Sequence, residues 1–550
     1  MATQNQKSAQ TDVFRPLANF PPSVWGCSFA SLSSTADLDF ESYTKEVEAL
    51  KETVKEMLTQ STTTIMENIE FINLLCRFGV SYQFENEIDE QLNQIFITLP
   101  NLLYQNDYDL YELALLFRVL RQHGYKMSCD VFYKFKESNG EFKKSIINDV
   151  KGLLSLYEAV FLSVHEEDIL DEALVFTRYH LEILAEKCNP NLAKHIKNAL
   201  HRPSHQGIER IEHRLYISFY EGEDSKNETL IKFAKLDFNR LQILYKKELA
   251  MLSRRWEEMN LPQQLPYARD RLVENYIWAI SAHFEPRYSS SRLLVTMSAN
   301  LIAAMDDTYD AFATLEELEC FTTAFQRLDM SATDELPEYM KVLYKALLHF
   351  FHESEKTSEG MSYRLTFLKE AFKELARVYL REAQWFYGGD VPTLNEYVRN
   401  GIISSAYNPI TAASLLGMGN EVGIKESEWL QKQPKILEAA MLICRLMDDI
   451  QSHEFEKKRG DCPSSVECYM NENDSSKEEA VEVIQKMCVN AWKDINEQRM
   501  KPNVVSGTLL KFYLNLSRVM DFLYKHHDGY TNPAYIKDDV ESLFLEEFPM

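Results

Sequence analysis

Between Glu41 and about Phe219, apolar residues recur at three- and four-residue spacing, as in Val47 to Leu58, Leu110 to Arg121 and Ile169 to Ala185. No stretch alternates as a half-buried strand would, so this period commits the chain to helices. The punctuation agrees. With 17 Gly and 17 Pro in 550 residues, both fall well under the average usage of ~7% and ~5%, which leaves long helices and few turns. A chain of this length exceeds the ~250 to 300 residues at which one core stops growing, so two large helical domains are expected. The polar run from Tyr220 to Asn227, YEGEDSKN, is the natural break, dividing 1–227 from 228–550. Before the first helix, Arg15-Pro16 and Phe20-Pro-Pro-Ser-Val-Trp25-Gly26 read as an extended stretch that wraps rather than packs.

The formal charge of −25 argues against nucleic acid or an anionic membrane as a partner, since both are bound through basic surface. An anionic ligand would have to meet a local basic patch or metal ions. The nine cysteines are odd in number, scattered and without a C-x-x-C pair, which indicates neither a disulfide framework nor a zinc site and points to a reducing compartment. The opening MATQNQKSAQTDVF has no apolar h-region and no arginine-rich transit composition, so the cytoplasm is the expected location. Apolar runs such as Ala439 to Met447 are broken by Arg445 and too short for a membrane span.

The second half concentrates the chemistry. LIAAMDDTYDAF, Leu301 to Phe312, ends an apolar helix in Asp306, Asp307 and Asp310. At ~100° per residue, 306 and 310 share a face and 307 lies off it. Spacing alone carries little, because a chain with 84 acids is expected to show acid-acid-x-x-acid about twice by chance. A second apolar helix, Ile436 to Gly460, also turns acidic. Its Asp448, Ser452 and Glu456 fall at i, i+4 and i+8 and form one oxygen-bearing stripe. Carboxylate, hydroxyl, carboxylate is a hard-cation set of the kind Mg2+ shares with substrate phosphates. Two such helix ends facing each other across a bundle cavity would hold a small metal cluster.

Arginines supply the next element. Arg269 and Arg271 stand just before the helix Leu272 to Phe284, and Arg445 lies one turn back from Asp448. Their planar forks suit phosphate oxygens. Asp307, out of phase with its neighbours, is expected to pair with an arginine or support the site from behind rather than ligate metal. Metals and arginines that grip a diphosphate make it a leaving group, and the allylic cation left behind needs dry, electron-rich walls. Trp278, two turns beyond Arg271, could present its face to that cation. GIISSAYNPITAA, 401–413, places Ser404, Ser405, Asn408 and Pro409 in an expected helix, predicting a kink with freed carbonyls. Tyr524 to Thr531, YKHHDGYT, has the turn chemistry of a lid, with His526 and His527 read as surface residues.

Taken together, DDTYD at 306–310, DDIQSHEFE at 448–456, RDR at 269–271, and Arg15-Pro16 eight residues before Trp25 resemble the plant class I terpene synthases, specifically the sesquiterpene cyclases. The resemblance spans nearly the whole chain. It implies an all-α protein with an inactive N-terminal αα-barrel-like domain and a C-terminal catalytic αα domain holding three Mg2+, with Mn2+ as a substitute. By this resemblance Asp306 and Asp310 ligate two metals, and Asp448, Ser452 and Glu456 hold the third. Arg269 and Arg445 take the diphosphate and Arg271 joins them after ionisation. Trp278 faces the cation, and Asp528 and Tyr530, with Tyr524 nearby, belong to the lid.

Arg-Pro rather than Arg-Arg near the N-terminus, no transit peptide and no D-x-D-D motif make farnesyl diphosphate the expected substrate and a monomeric carbon–oxygen lyase the expected enzyme. The rivals are a chain-elongating prenyltransferase, a monoterpene synthase and a helical scaffold. The first should carry an acid where Ser452 stands; the last gives no reason for acids and arginines at apolar helix ends.

Overall fold

The structure is a computed structural model that describes residues 15–16, 18–26, 28–30, 36–60, 64–357 and 362–550. The opening fourteen residues and Cys27 lie outside it. Among the described residues every regular element is helical and no β-strand occurs. The predicted periods become the helices Ala36–Thr59, Leu110–Gln122 and Asp168–Ala185. Where the sequence shows polar breaks, local capping ends or starts a helix: Asn189 caps Pro190–His201, and Asn227 accepts from the Leu230 amide at 3.0 Å to open Glu228–Met259. Asp109 proves to be a helix cap too, closing a capping box with Glu112. The eight described cysteines are free thiols, and no described helix is long and apolar enough to cross a membrane.

Glu228–Met259 packs against Ala36–Thr59 of the first half and Leu272–Ala282 of the second, so one long helix touches both. The C-terminal half is a bundle. Ser289–Ala311, which carries the first acids, is surrounded by Leu272–Ala282, Glu338–Thr357, Ser362–Gly388 and Tyr407–Gly417. Its crossing with Tyr407–Gly417 is close enough to need a glycine: a Cβ on Gly417 would lie 2.3 Å from the Ser291 Cα. Lys435–Arg459, which carries the second acids, packs on Leu394–Ser404, Lys477–Gln498 and Gly507–Tyr524.

Two features depart from the sequence reading. The N-terminal stretch wraps and also packs: Trp25 and Phe29 are buried, and Trp25 Nε1 donates to Glu274 Oε1 at 2.9 Å. A tryptophan that brings its own polar partner gains from burial even on an extended segment. The segment 401–413 is broken outright rather than kinked. Leu394–Ser404 stops, Ala406 takes φ +64°, and Tyr407–Gly417 starts anew with Pro409 in its first turn, where its missing N–H costs nothing.

At the other end of the acid-bearing helix Ser289–Ala311 a buried pair ties it to Glu228–Met259. Arg292, fully buried, gives Glu248 Oε1 2.6 Å and Oε2 2.8 Å and donates to the carbonyls of His283 and Glu285. Tyr276 adds a third donor to Glu248 at 2.8 Å. Removing one partner of such a pair strands the other charge, so Arg292→Ala should destabilise the protein by ~3–5 kcal/mol, read as a lower urea midpoint; an unchanged midpoint would show that the pair does not hold this helix.

Candidate active site

The two acidic helices open onto one polar mouth. It is lined by Asp306 and Asp310 from Ser289–Ala311, by Asp448, Ser452 and Glu456 from Lys435–Arg459, and by Arg269, Arg445, Glu382, Asp461 and Asp528. Seven carboxyl groups there face two guanidinium groups. Burial holds the Asp306 carboxyl above its ordinary range. It also pushes Asp448 up to about 7 despite the neighbouring Arg445. Oxygen donors of Asp306, Asp307 and Asp310 lie within 4.8 Å of one another. An all-oxygen set short of positive charge fits hard divalent cations.

Each jaw also carries an arginine held by a buried acid. Arg269 Nη2 reaches Asp306 Oδ2 at 2.8 Å and Asp307 Oδ1 at 2.7 Å, and its backbone N–H donates to Asp307 Oδ2 at 2.6 Å. Asp307 is fully buried, while Asp306 keeps part of its side chain open to the mouth. Arg269 loses hydration on burial, but Asp307 and Asp306 outweigh that and keep it protonated. On the other jaw Arg445 contacts Asp448 through Nη2 and Asp449 through Nε at 2.8 Å.

Behind the mouth lies a more apolar chamber. Trp278, Ile302, Ala303, Ile410, Tyr407, Cys444, Tyr524 and Tyr530 line it, and the helix break contributes Ser404, Ser405 and Ala406. Arg269, Asp306, Tyr379, Arg445 and Asp448 belong to the walls of both spaces. Trp278 meets Tyr407 and Tyr530 edge to face, at 6.5 and 5.8 Å between ring centroids. The two serines point back into protein: Ser404 donates to Glu382 at 2.6 Å and Ser405 to the Ile402 carbonyl at 2.6 Å. The loop after Gly507–Tyr524 is shaped by Asp528, whose Oδ1 accepts from the amides of Tyr530 and Thr531 at 3.0 and 2.8 Å.

One sequence candidate stands elsewhere. Arg271 is fully buried and lines neither space. Its guanidinium donates to the carbonyls of Tyr530, Thr531, Pro21 and Asp270, all at 2.8 to 2.9 Å. In this state it ties the N-terminal stretch to the 525–536 loop. His526 and His527 lie outside the mouth, stacked on His201 and against Tyr535. Sequence reasoning missed Glu382, Tyr379 and Asp449. Glu382 is pushed up to about 7 by burial against the pull of its Ser404 hydrogen bond. It and Tyr379 sit in an unremarkable helical period, whereas Asp449 could have been suspected by analogy with Asp307, as the second acid of a pair.

Residues 24–200 match the model of the terpene synthase N-terminal domain, and residues 257–494 that of the terpene synthase family metal-binding domain. The chain belongs to the plant terpene synthase family. It is 59% identical to a probable terpene synthase 6 of Ricinus communis, over 98% of this chain and all of the relative. Among solved structures, a limonene synthase bound to 2-fluorolinalyl diphosphate superimposes with a TM-score of 0.91 at 31% identity, covering 98% of this chain and 100% of that one. An isoprene synthase from grey poplar, in complex with three Mg2+ ions and dimethylallyl-S-thiolodiphosphate, gives 0.87 at 32% identity over 94% and 99%. The protein is therefore an enzyme of two all-α domains, a lyase acting on a prenyl diphosphate.

If Arg271 is the tie its contacts describe, Arg271→Ala should leave the bulk fold intact. Amide hydrogen exchange of Tyr530 to Asn532 should quicken by roughly tenfold or more in the ligand-free terpene synthase. Unchanged exchange there would remove the assignment.

Proposed function

We propose that this chain is a sesquiterpene synthase that ionises farnesyl diphosphate, cyclises the resulting cation and releases a sesquiterpene hydrocarbon or alcohol with diphosphate. The observation that supports it is the shared boundary: the groups suited to a diphosphate and its metals, Arg269, Asp306, Arg445 and Asp448, are also the entrance wall of the apolar, aromatic chamber. A substrate with an anionic head and a long apolar tail would place the bond between them at that wall. Arg-Pro at 15–16 and the lack of a D-x-D-D motif support the farnesyl chain length and ionisation rather than protonation.

Three Mg2+ are proposed, held by Asp306 and Asp310 on one jaw and by Asp448, Ser452 and Glu456 on the other. When bound, the metals neutralise charge building on the leaving diphosphate as Lewis acids. The protein's own residues do the rest. Arg269 and Arg445 donate to diphosphate oxygens as the carbon–oxygen bond breaks and its electron pair departs with the diphosphate. Trp278, Tyr407, Tyr524 and Tyr530 line the chamber, and a ring face turned to the cation attracts it by ~2 kcal/mol or more once water is excluded. Ring closure then spends a π pair of the prenyl chain's own double bonds on the cationic carbon, and the sequence ends when the cation loses a proton, or captures water and loses one, to the released diphosphate. Asp528, by shaping the 525–536 loop, helps exclude bulk water. Arg271 is proposed to leave the carbonyls it holds and join the other arginines once diphosphate forms. The domain boundary is placed between Asn227 and Glu228, the enzyme in the cytoplasm as a monomer.

Purified protein given farnesyl diphosphate and Mg2+ should yield a volatile sesquiterpene by mass spectrometry, more efficiently than any product from geranyl diphosphate; the reverse preference overturns the chain-length reading. A chelator should abolish turnover, with Mg2+ or Mn2+ restoring it. Asp306→Ala should lower kcat/KM by about 100-fold or more, and an intact rate would refute the metal assignment.

A further inference from the structure

The second acidic helix carries an aspartate that the proposed mechanism leaves without a task. Asp449 follows Asp448 directly, yet it is fully buried and lines neither the mouth nor the chamber. Its two oxygens are both engaged. Oδ1 accepts from Arg445 Nε at 2.8 Å and from the Tyr397 hydroxyl at 2.9 Å, and Oδ2 accepts from the Ser465 amide at 2.9 Å. Those donors come from three helices, Lys435–Arg459, Leu394–Ser404 and Ser465–Asn473. The carboxylate therefore cannot turn without breaking contacts to two neighbours. Tyr397 is itself buried.

The stem of Arg445 runs close over Gly401. A Cβ placed on Gly401 would lie 2.9 Å from Arg445 Cγ and 3.0 Å from Cδ. Such contacts are closer than a side chain tolerates, so the arginine runs along a groove that only glycine leaves open. The head is thus held by Asp448 and Asp449, while the stem passes a position where a side chain would displace it.

Arg445 divides its guanidinium between unlike partners. Nη2 holds Asp448, which lines the mouth and the chamber, whereas Nε holds Asp449, which neither space reaches. We propose that Asp449, braced by Tyr397 and the Ser465 amide, is the positioning residue for Arg445. It keeps the guanidinium aimed at the mouth when Asp448 is given up to a cation, so that Nη2 exchanges a carboxylate oxygen for a diphosphate oxygen without a search. The inference rests on the reading of the mouth as a diphosphate site. The other jaw has the same division of labour, with Asp306 open to the mouth and Asp307 buried behind Arg269. A buried acid behind each arginine orients a donor as outer-shell groups orient metal ligands.

The test uses full-length protein and no turnover: calorimetric titration of inorganic diphosphate in the presence of Mg2+. Arg445→Ala should weaken binding strongly. Asp449→Asn should weaken it by about 10-fold or more, and Tyr397→Phe and Gly401→Ala should each weaken it by roughly threefold or more, with the thermal midpoint of Tyr397→Phe close to wild type. In the Arg445→Ala background Tyr397→Phe should cost nothing further, since a positioning residue acts only through the group it positions. The KM for farnesyl diphosphate should follow the same order.

Wild-type protein that fails to bind diphosphate with Mg2+ sinks the diphosphate site itself. Wild type that binds and Arg445→Ala that does not, alongside Tyr397→Phe and Gly401→Ala that both bind like wild type, refutes the anchor alone. Full additivity of Tyr397→Phe with Arg445→Ala does so too. These outcomes stand even if Asp449→Asn fails to fold.

Discussion

Carboxyl groups gathered around one partly buried mouth repel each other and lose hydration, and everything else in the C-terminal half accommodates that fact. Two guanidinium groups offset part of that charge, and burial raises the pKa of Asp306, Glu382 and Asp448. The arrangement is unfavourable on its own, which is what makes it receptive: whatever brings positive charge into the mouth is bound partly by relieving a cost already incurred. At the opposite end of the acid-bearing helix, the buried Arg292–Glu248 pair anchors it to Glu228–Met259.

Residue pairs divide this work more finely than their sequence adjacency suggests. In Asp306-Asp307 and again in Asp448-Asp449, the first acid stays open to the mouth and the second turns inward to an arginine. One helical residue is ~100° of rotation, enough to move a carboxylate from solvent to core. Adjacent identical residues therefore share one arginine but differ in exposure, and a substitution at one predicts little about the other.

How much of this was legible beforehand follows from the range of the interactions. Helical periods, caps and the acid stripes are local, and the helices Ala36–Thr59 and Lys435–Arg459 lie where spacing puts them. The family and the enzyme class were legible from motif order. The Arg271 carbonyl cage was not, because three of its four partners lie 250 to 260 residues away and carbonyls carry no residue identity. Burial of Trp25 depends on Glu274, 249 residues on. Glu382 and Tyr379 became visible only when four helices converged. The break at Ala406 was half legible: Pro409 announced an interruption, but a left-handed alanine is imposed by tertiary packing.

The N-terminal stretch adds a constraint of time. Arg15 binds Glu317 with two contacts of 2.7 Å across 302 positions, Trp25 waits for Glu274, and the Pro21 carbonyl meets an arginine that also holds Tyr530 and Thr531. These partners of the stretch 15–26 lie 249 to 302 positions further along the chain, and the rim of the mouth is completed by Asp528 and Thr531. A structure closed by such distant contacts assembles late and as a whole. Because Arg271 joins Pro21 to Tyr530 and Thr531, a change in the N-terminal stretch reaches the rim of the mouth without touching a single residue that lines it.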